Sequence, residues 1–225
     1  MTTIFWAGDS TAAHNTILSW PQTGIAQMFD RFADRENVRI SNHAVNGRST
    51  KSFLDQGRLK PIAKQLKKGD FLFIQFGHND EKDSDPERYT DPDSTFADNL
   101  KIFVDCAREK GAVPVIISPV TRRGFADPAA VYRHDRWAAA ARKTAKALDA
   151  AFIDLTRMSE ELLIHTPHEK LDDWFMPDGT HLKPEGALMF AGLIAKGLYR
   201  LDGCRKLLFA GFEDHLQKEK ERKHA

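Results

Sequence analysis

The feature that most constrains the fold of this 225-residue chain is the alternation of short apolar runs with longer amphipathic segments. Five runs are candidate strands, and they are Thr3–Ala7, Val38–Ile40 (with an alternative end at Val45), Phe71–Phe76, Val113–Ser118 and Ala151–Ile153. The runs are apolar on both faces, as strands that are covered on both sides must be. Strands that alternate with helices are joined by right-handed crossovers, so the pattern predicts a parallel sheet.

The amphipathic segments predict the helices that cover this sheet. Apolar residues recur at helical spacing in the segments 25–32, 96–107, 137–148 and 184–198. Pro184 suits the first turn of the last helix, which is predicted to bury Leu188, Ala191 and either Phe190 or Ile194. The expected fold class is therefore α/β, a three-layer α/β/α sandwich with a flavodoxin-like parallel sheet of about five strands.

Length and composition indicate one domain and exclude several classes of protein. We expect a single domain over residues 1–212 and a charge-dense tail, 213–225, that is either a solvated helix or a frayed end. The 33 Lys and Arg residues are nearly balanced by 32 Asp and Glu, which removes the electrostatic argument for binding nucleic acid or an anionic membrane. No run of about 18 apolar residues is present to span a bilayer.

The N-terminal residues and the cysteines bear on the compartment. The N-terminus lacks the basic and apolar regions of a signal peptide. With only two cysteines, Cys106 and Cys204, a disulfide scaffold is excluded. We therefore expect a reduced, cytoplasmic protein, and a leader upstream of Met1 stays an open alternative.

Small and polar residues collect where the predicted strands end, which is where open parallel sheets bind ligands. Four such blocks follow the first four runs, namely Gly8-Asp9-Ser10-Thr11, Asn46-Gly47-Arg48-Ser49, Gly77-His78-Asn79-Asp80 and Pro119-Val120-Thr121-Arg122-Arg123. A fifth block, Asp178-Gly179-Thr180-His181, precedes the last helix, which can carry it to the same edge. The polar segment Lys82–Ser94 is expected to form a long loop over one end of the sheet, and long loops are often functional.

These blocks contain the parts of a serine hydrolase. Ser10 is a candidate nucleophile, His181 a candidate base, and Asp178 is close enough in sequence to orient the imidazole. The backbone N–H groups of Ser10 and Gly47 and the side-chain amide of Asn79 are candidate donors for the oxyanion. Each block alone also has an ordinary structural interpretation as a turn, and the combination is the specific signal.

In these blocks the sequence resembles the SGNH hydrolases of the GDSL superfamily, over a stretch from about Ile4 to Leu198. The resemblance implies the SGNH hydrolase fold, with Ser10 as nucleophile, His181 as base and Asp178 as its partner. It also implies an oxyanion hole made by Ser10, Gly47 and Asn79.

The blocks around Ser10, Gly47 and Asn79 resemble more narrowly the rhamnogalacturonan acetylesterases, carbohydrate esterase family twelve, which remove acetyl groups from galacturonic acid residues of pectin. The resemblance implies a carbohydrate O-acetylesterase that acts on pectin-derived oligosaccharides through an acetyl-enzyme, with no cofactor. Two alternatives stay open, an SGNH esterase, lipase or thioesterase for another acyl sugar or short-chain ester, and a carbohydrate-binding relative without activity.

Four further residues are candidates for substrate binding. His78 is expected either to contact substrate or to orient its loop, and Trp174 either to stack on a sugar ring or to pack against the last helix. Arg122 and Arg123 either pair with a galacturonate carboxylate or belong to a solvated loop. The expected partner is an acetylated oligosaccharide, with no nucleic acid, no membrane and no metal, and a homodimer is an open alternative.

Overall fold

The computed structural model describes residues 1–126 and 134–224 of the chain. The strands are β1 (Thr2–Gly8), β2 (Val38–Asn42), β3 (Phe71–Gln75), β4 (Val113–Ile117) and β5 (Ala151–Ile153). They form a parallel sheet in the order β2-β1-β3-β4-β5. The predicted strands and the parallel sheet are confirmed, with ends that differ by one or two residues.

Helices connect the strands and close the chain. They are α1 (Ile25–Met28), α2 (Thr50–Asp55), α3 (Leu59–Gln65), α4 (Thr95–Glu109), α5 (His134–Ala147), α6 (Leu155–Ile164), α7 (His168–Trp174), α8 (Pro184–Arg200) and α9 (Phe212–His224). Short 3₁₀ turns cover Ile17–Ser19, Phe29–Arg31, Arg123–Ala126 and Arg205–Leu207.

Successive residues of the strands face opposite sides of the sheet, and this alternation produces two cores. Trp6 and Phe73 pack on one side with side chains from α1, α6, α7 and α8. Phe5 and Leu72 pack on the other side with side chains from α2, α3, α4 and α5. The three-layer α/β/α sandwich predicted from the sequence is therefore confirmed.

Two details of the predicted helices are wrong. The segment 25–32 is not one helix, because α1 ends at Met28 and a 3₁₀ turn, Phe29–Arg31, follows. Leu188 of α8 is 37% exposed, because the stripe that faces the sheet runs through Phe190, Ala191 and Ile194.

The charged tail that was expected after residue 212 forms most of α9, which begins at Phe212 and ends at His224. Phe212 is buried in the core beside α8, so this helix is anchored at its first residue. Among the residues that the structure describes, no helix is both long and apolar enough to cross a membrane.

Candidate active site

Ser10 lies just beyond the end of β1, in a tight turn at the carboxyl edge of the sheet. The side chain of Asp9 forms the turn, since its Oδ1 accepts hydrogen bonds from the backbone N–H of Thr11 at 2.9 Å and from the Thr11 hydroxyl at 2.7 Å. Ser10 is 7% exposed, so its hydroxyl is held in the wall of a cavity rather than on a free surface.

A chain of buried side chains connects this turn to the neighbouring strand. The Trp6 indole N–H donates to Gln75 Oε1 at 3.1 Å, and Gln75 Nε2 donates to Thr11 Oγ1 at 3.3 Å. Trp6 belongs to β1 and Gln75 to β3, two strands that pair directly. The position of the Ser10 turn is therefore tied to the rigid centre of the sheet, as a precise nucleophile requires.

His181 and Asp178 lie on a short loop in front of α8. The loop is closed like a hairpin, because Met176 N–H donates to the carbonyl of His181 at 2.8 Å and Gly179 N–H to that of Met176 at 2.9 Å. Gly179 has φ +65°, a left-handed conformation that favours glycine. The sequence places these residues far from Ser10, and the packing of α8 on the sheet brings them to it.

The three side chains form a continuous hydrogen-bonded chain. His181 Nδ1 lies 2.5 Å from Asp178 Oδ2, and His181 Nε2 lies 2.9 Å from Ser10 Oγ. A carboxylate only accepts hydrogen bonds, so it places the imidazole proton on Nδ1 and leaves Nε2 free to accept the proton of Ser10. This is the arrangement that activates a serine hydroxyl as a nucleophile.

The carboxylate of Asp178 is held in its ionised form. Partial burial acts to raise the pKa of Asp178, but the hydrogen bond from the His181 ring and those from the backbone N–H groups of His181 and Thr180 outweigh it. The pKa of Asp178 is consequently below its ordinary value, and the group stays negative over the range in which an imidazole works.

Gly47 is the third residue of a tight turn after β2. Arg48 N–H donates to the carbonyl of Val45 at 3.3 Å, and Gly47 has φ +74°. A turn with a left-handed third residue matches type II, in which glycine is preferred at this position. The backbone of Gly47 thus reaches the cavity with no side chain in front of it.

The side-chain amide of Asn79 has a defined orientation. The Arg88 guanidinium lies 3.3 Å from Asn79 Oδ1, while Asn79 Nδ2 donates to the carbonyl of Arg48 at 3.2 Å. A guanidinium only donates and a carbonyl only accepts. Both contacts therefore require that the amide oxygen of Asn79 faces Arg88 and its nitrogen faces the Arg48 carbonyl. The second hydrogen of Nδ2 remains available for an oxyanion.

Asp80 joins the Gly47 turn to the Asn79 loop. Its carboxylate accepts hydrogen bonds from the Thr50 N–H at 3.0 Å, the Thr50 hydroxyl at 2.5 Å and the Thr90 hydroxyl at 3.0 Å. Thr50 is the first residue of α2, three residues after Gly47, and Asp80 directly follows Asn79. Burial raises the pKa of Asp80 to about 7, and the nearby charge of Asp9 adds to the shift.

These groups surround one cavity of about 480 Å³, which is lined by Ser10, Gly47, Asn79 and His181 among others. The structure therefore brings together every residue that was predicted for the triad and the oxyanion hole. Their catalytic roles stay predictions.

The four residues predicted to bind substrate lie in different surroundings. His78 and Arg122 line the cavity, and Arg122 is paired with Glu81 Oε1 at 2.5 Å and with the Thr180 hydroxyl. Arg123 pairs with Asp172 at 2.5 Å, and its backbone N–H donates to the carbonyl of Gly179.

Trp174 is 4% exposed, with its ring against Phe190 at 6.2 Å between centroids. Of the two alternatives expected for Trp174, the structure shows the packing against the last helix, because the ring lies against Phe190 of α8. A Cβ placed on Gly186 of that helix would lie 2.3 Å from the Trp174 carbonyl oxygen, so this packing is as close as two backbones allow.

Sequence reasoning missed five residues that line the cavity, namely Gln22, Asn46, Lys82, Arg88 and Thr180. Lys82 and Arg88 belong to the polar segment Lys82–Ser94, whose length was the one available signal for them. Asn46 lies in a predicted block, but nothing in its spacing distinguished it from a turn residue. Within residues 1–126 and 134–224, no three His, Cys, Asp or Glu side chains come together as a metal-binding group.

Comparison with known proteins identifies the family to which the chain belongs. The model of the GDSL-like lipase/acylhydrolase family matches residues 7–188. The rhamnogalacturonan acetylesterase RhgT of Bacillus subtilis is 38% identical over 213 residues, which cover 88% of this chain and 90% of the relative. The rhamnogalacturonan acetylesterase of Emericella nidulans is 27% identical over 215 residues, covering 87% of this chain and 84% of the relative.

Solved structures show the same fold. The crystal structure of the YxiM protein from Bacillus subtilis superposes with a TM-score of 0.78 at 26% identity, and the match covers 88% of this chain and 56% of that one. A catalytic mutant of Axe2, an acetylxylan esterase from Geobacillus stearothermophilus, superposes with a TM-score of 0.65 at 14% identity, covering 93% of this chain and 95% of that one.

Proposed function

Since the chain belongs to the GDSL-like lipase/acylhydrolase family, we propose that it is a serine esterase that removes O-acetyl groups from rhamnogalacturonan-derived oligosaccharides. The observation that carries this proposal is the hydrogen-bonded chain from Ser10 through His181 to Asp178 in the wall of one cavity. The two relatives named as rhamnogalacturonan acetylesterases match this chain over most of their lengths, and they support the substrate class.

In the first half of the reaction Ser10 Oγ attacks the acetyl carbonyl carbon while its proton passes to His181 Nε2. The negative charge that develops on the carbonyl oxygen is stabilised by the N–H groups of Ser10 and Gly47 and by Nδ2 of Asn79. The imidazolium then gives its proton to the sugar oxygen, the ester bond breaks, and an acetyl group remains on Ser10.

In the second half a water molecule takes the place of the departed sugar. His181 Nε2 removes a proton from this water as the oxygen attacks the acetyl-enzyme, and the same oxyanion donors stabilise the second tetrahedral intermediate. Its collapse returns the proton to Ser10 and frees acetate. Asp178 stabilises the imidazolium in both halves because it is already ionised.

The character of the cavity favours a sugar over a lipid. Its wall carries amide and cationic side chains, which include Gln22, Asn46, Lys82, Arg88 and Arg122. Lipid sites are lined mainly by apolar side chains, whereas these groups can donate hydrogen bonds to hydroxyl and carboxylate oxygens.

The experiment that tests the proposal is acetate release from acetylated rhamnogalacturonan oligosaccharides, compared with acetylated xylan and acetylated homogalacturonan. Ser10→Ala serves as the blank, and Ser19→Ala, a change in the partly exposed 3₁₀ turn Ile17–Ser19, serves as the matched control. We expect release from rhamnogalacturonan by the unaltered protein and by Ser19→Ala, and none above background by Ser10→Ala.

Two outcomes would count against the proposal in different ways. Cleavage of short nitrophenyl esters without release from any acetylated pectin would retain the Ser10 mechanism and discard the substrate. Full activity of Ser10→Ala would discard the mechanism itself.

A further inference from the structure

One wall of the candidate active site carries three cationic side chains, Lys82, Arg88 and Arg122. All three lie after β3 or β4, at the carboxyl edge of the sheet. Their number is notable in a chain whose total charge is close to zero.

Two of these cations already have carboxylate partners within the protein. Arg88 Nε lies 2.5 Å from Asp85 Oδ2, and Arg122 lies 2.5 Å from Glu81 Oε1. Both guanidinium groups also donate to a neutral oxygen, that of the Asn79 amide for Arg88 and that of the Thr180 hydroxyl for Arg122. The charges of Arg88 and Arg122 are therefore already paired within the wall of the cavity.

Lys82 is different. Among residues 1–126 and 134–224, its ammonium group makes no hydrogen bond and has no acidic group within ion-pair distance. Partial desolvation lowers the pKa of Lys82, and the charges of Arg88 and Arg122 lower it further against the opposing effect of Asp85 and Glu81. The environment of Lys82 is thus more positive than its two acidic neighbours can balance.

We propose that the Lys82 ammonium binds the carboxylate of a uronic acid residue in the substrate and that Lys82 selects acidic over neutral acetylated sugars. This inference rests on the proposed function, because it takes the ester to be presented on an acidic oligosaccharide. A carboxylate at this place supplies the negative charge that the wall lacks, and the ammonium offers three donors to it.

The position of Lys82 suits selection rather than catalysis. Lys82 lines the same cavity as Ser10 and His181, and among the described residues its side chain forms no hydrogen bond or ion pair with the triad or with Asn79. Because the side chain stays open to solvent, we expect a moderate effect, about tenfold in affinity for the acidic ligand. The interaction should weaken as salt is added.

The test measures binding separately from turnover. Hydrolysis of 4-nitrophenyl acetate is inhibited with unacetylated digalacturonate and, in parallel, with its dimethyl ester, in which the carboxylates are neutral. In the unaltered protein we expect the acid to inhibit competitively, with an inhibition constant about tenfold lower than that of the ester. The ratio of the two inhibition constants, ester to acid, should fall close to one in Lys82→Gln and should be largely kept in Lys82→Arg. It should be unchanged in the control Lys60→Gln, a change at an exposed lysine of α3.

The outcomes separate this inference from the proposed function. If the acid is preferred by the unaltered protein and equally by Lys82→Gln, or is not preferred at all, the inference is overturned. If the preference depends on Lys82 but no acetate is released from acetylated rhamnogalacturonan, the carboxylate site stands and the proposed substrate fails.

Discussion

The Arg88 guanidinium donates a hydrogen bond to Asn79 Oδ1 across 3.3 Å, from a loop position nine residues further along the chain. Arg88 is itself held by Asp85 at 2.5 Å. The contact forces Asn79 Nδ2 to face the cavity edge, where it also donates to the Arg48 carbonyl. An oxyanion donor contributes only when it is oriented before the reaction, so we expect Arg88 to act as a positioning residue for Asn79 in its proposed role as a donor.

Substituting Arg88 should therefore lower turnover through Asn79. For Arg88→Met we expect kcat to fall about tenfold, less than the roughly 100- to 1,000-fold cost of losing a donor outright. Arg35→Met is the matched control, because Arg35 also pairs with an aspartate, Asp30, but does not line this cavity.

A double-mutant cycle separates this role from a general structural one. In an Asn79→Ala background the Arg88→Met change should have almost no further effect on kcat, because its target is gone. Additive losses in the double variant would contradict the assignment.

Removing the charge of Asp178 should disable the imidazole without removing it. We expect Asp178→Asn to reduce kcat by about 10²- to 10⁴-fold, since the amide can favour the wrong tautomer and does not stabilise an imidazolium. The matched control is Asp173→Asn, an exposed aspartate near the end of α7. Steady-state kinetics with 4-nitrophenyl acetate measures both, and a loss below about threefold in Asp178→Asn would be incompatible with the proposed mechanism.

The raised pKa of Asp80 should make the free energy of unfolding depend on pH. Its pKa is raised to about 7 in the folded protein, mainly by burial, against about 3.9 for an aspartate in an unfolded chain. Between these values the unfolded chain loses the proton and the folded protein keeps it, so the free energy of unfolding falls as pH rises.

Asp80→Asn removes this titration. From about pH 5 to about pH 7 the unaltered protein should lose about 2 kcal/mol of stability relative to Asp80→Asn. Urea unfolding followed by circular dichroism at several pH values measures the difference. If the difference in unfolding free energy between the two proteins stays constant across that range, the pKa of Asp80 is not raised in the folded state and this prediction is wrong.

We expect glycine to be required at position 47 because of its backbone conformation, and not because a larger side chain would clash there. A Cβ at Gly47 would meet nothing closer than an Arg88 nitrogen at 3.8 Å, but its φ of +74° is unfavourable for alanine by about 1–2 kcal/mol. If the turn relaxes, the N–H leaves the oxyanion position, so we expect Gly47→Ala to lower both stability and kcat.

Gly57→Ala is the control for that variant, because Gly57 has a similar φ of +66° and lies in the turn between α2 and α3. The two variants should lose comparable stability in urea unfolding, whereas only Gly47→Ala should lose kcat. An equal kcat for both would remove the Gly47 N–H from the mechanism.

Some features of this protein were accessible from the sequence because they depend on local pattern. The run Phe71–Phe76 is apolar on both faces, and any such run must be covered on both sides, which determines a strand in the middle layer. Ser10, Gly47 and Asn79 lie in the segments that follow β1, β2 and β3, and parallel strands deliver their carboxyl ends to one edge whatever the details of packing.

Other features depended on how distant segments pack, and only the tertiary structure decided them. Trp174 precedes the Asp178 loop in sequence, but its ring packs against Phe190 of α8 and is buried. Lys82 and Arg88 lie in a polar loop with no periodic pattern, so their places in the cavity follow from the contacts of that loop with Asp80 and Asn79. Local patterns determine which residues lie at the carboxyl edge of the sheet. Long-range hydrogen bonds and burial determine which of these residues line the cavity.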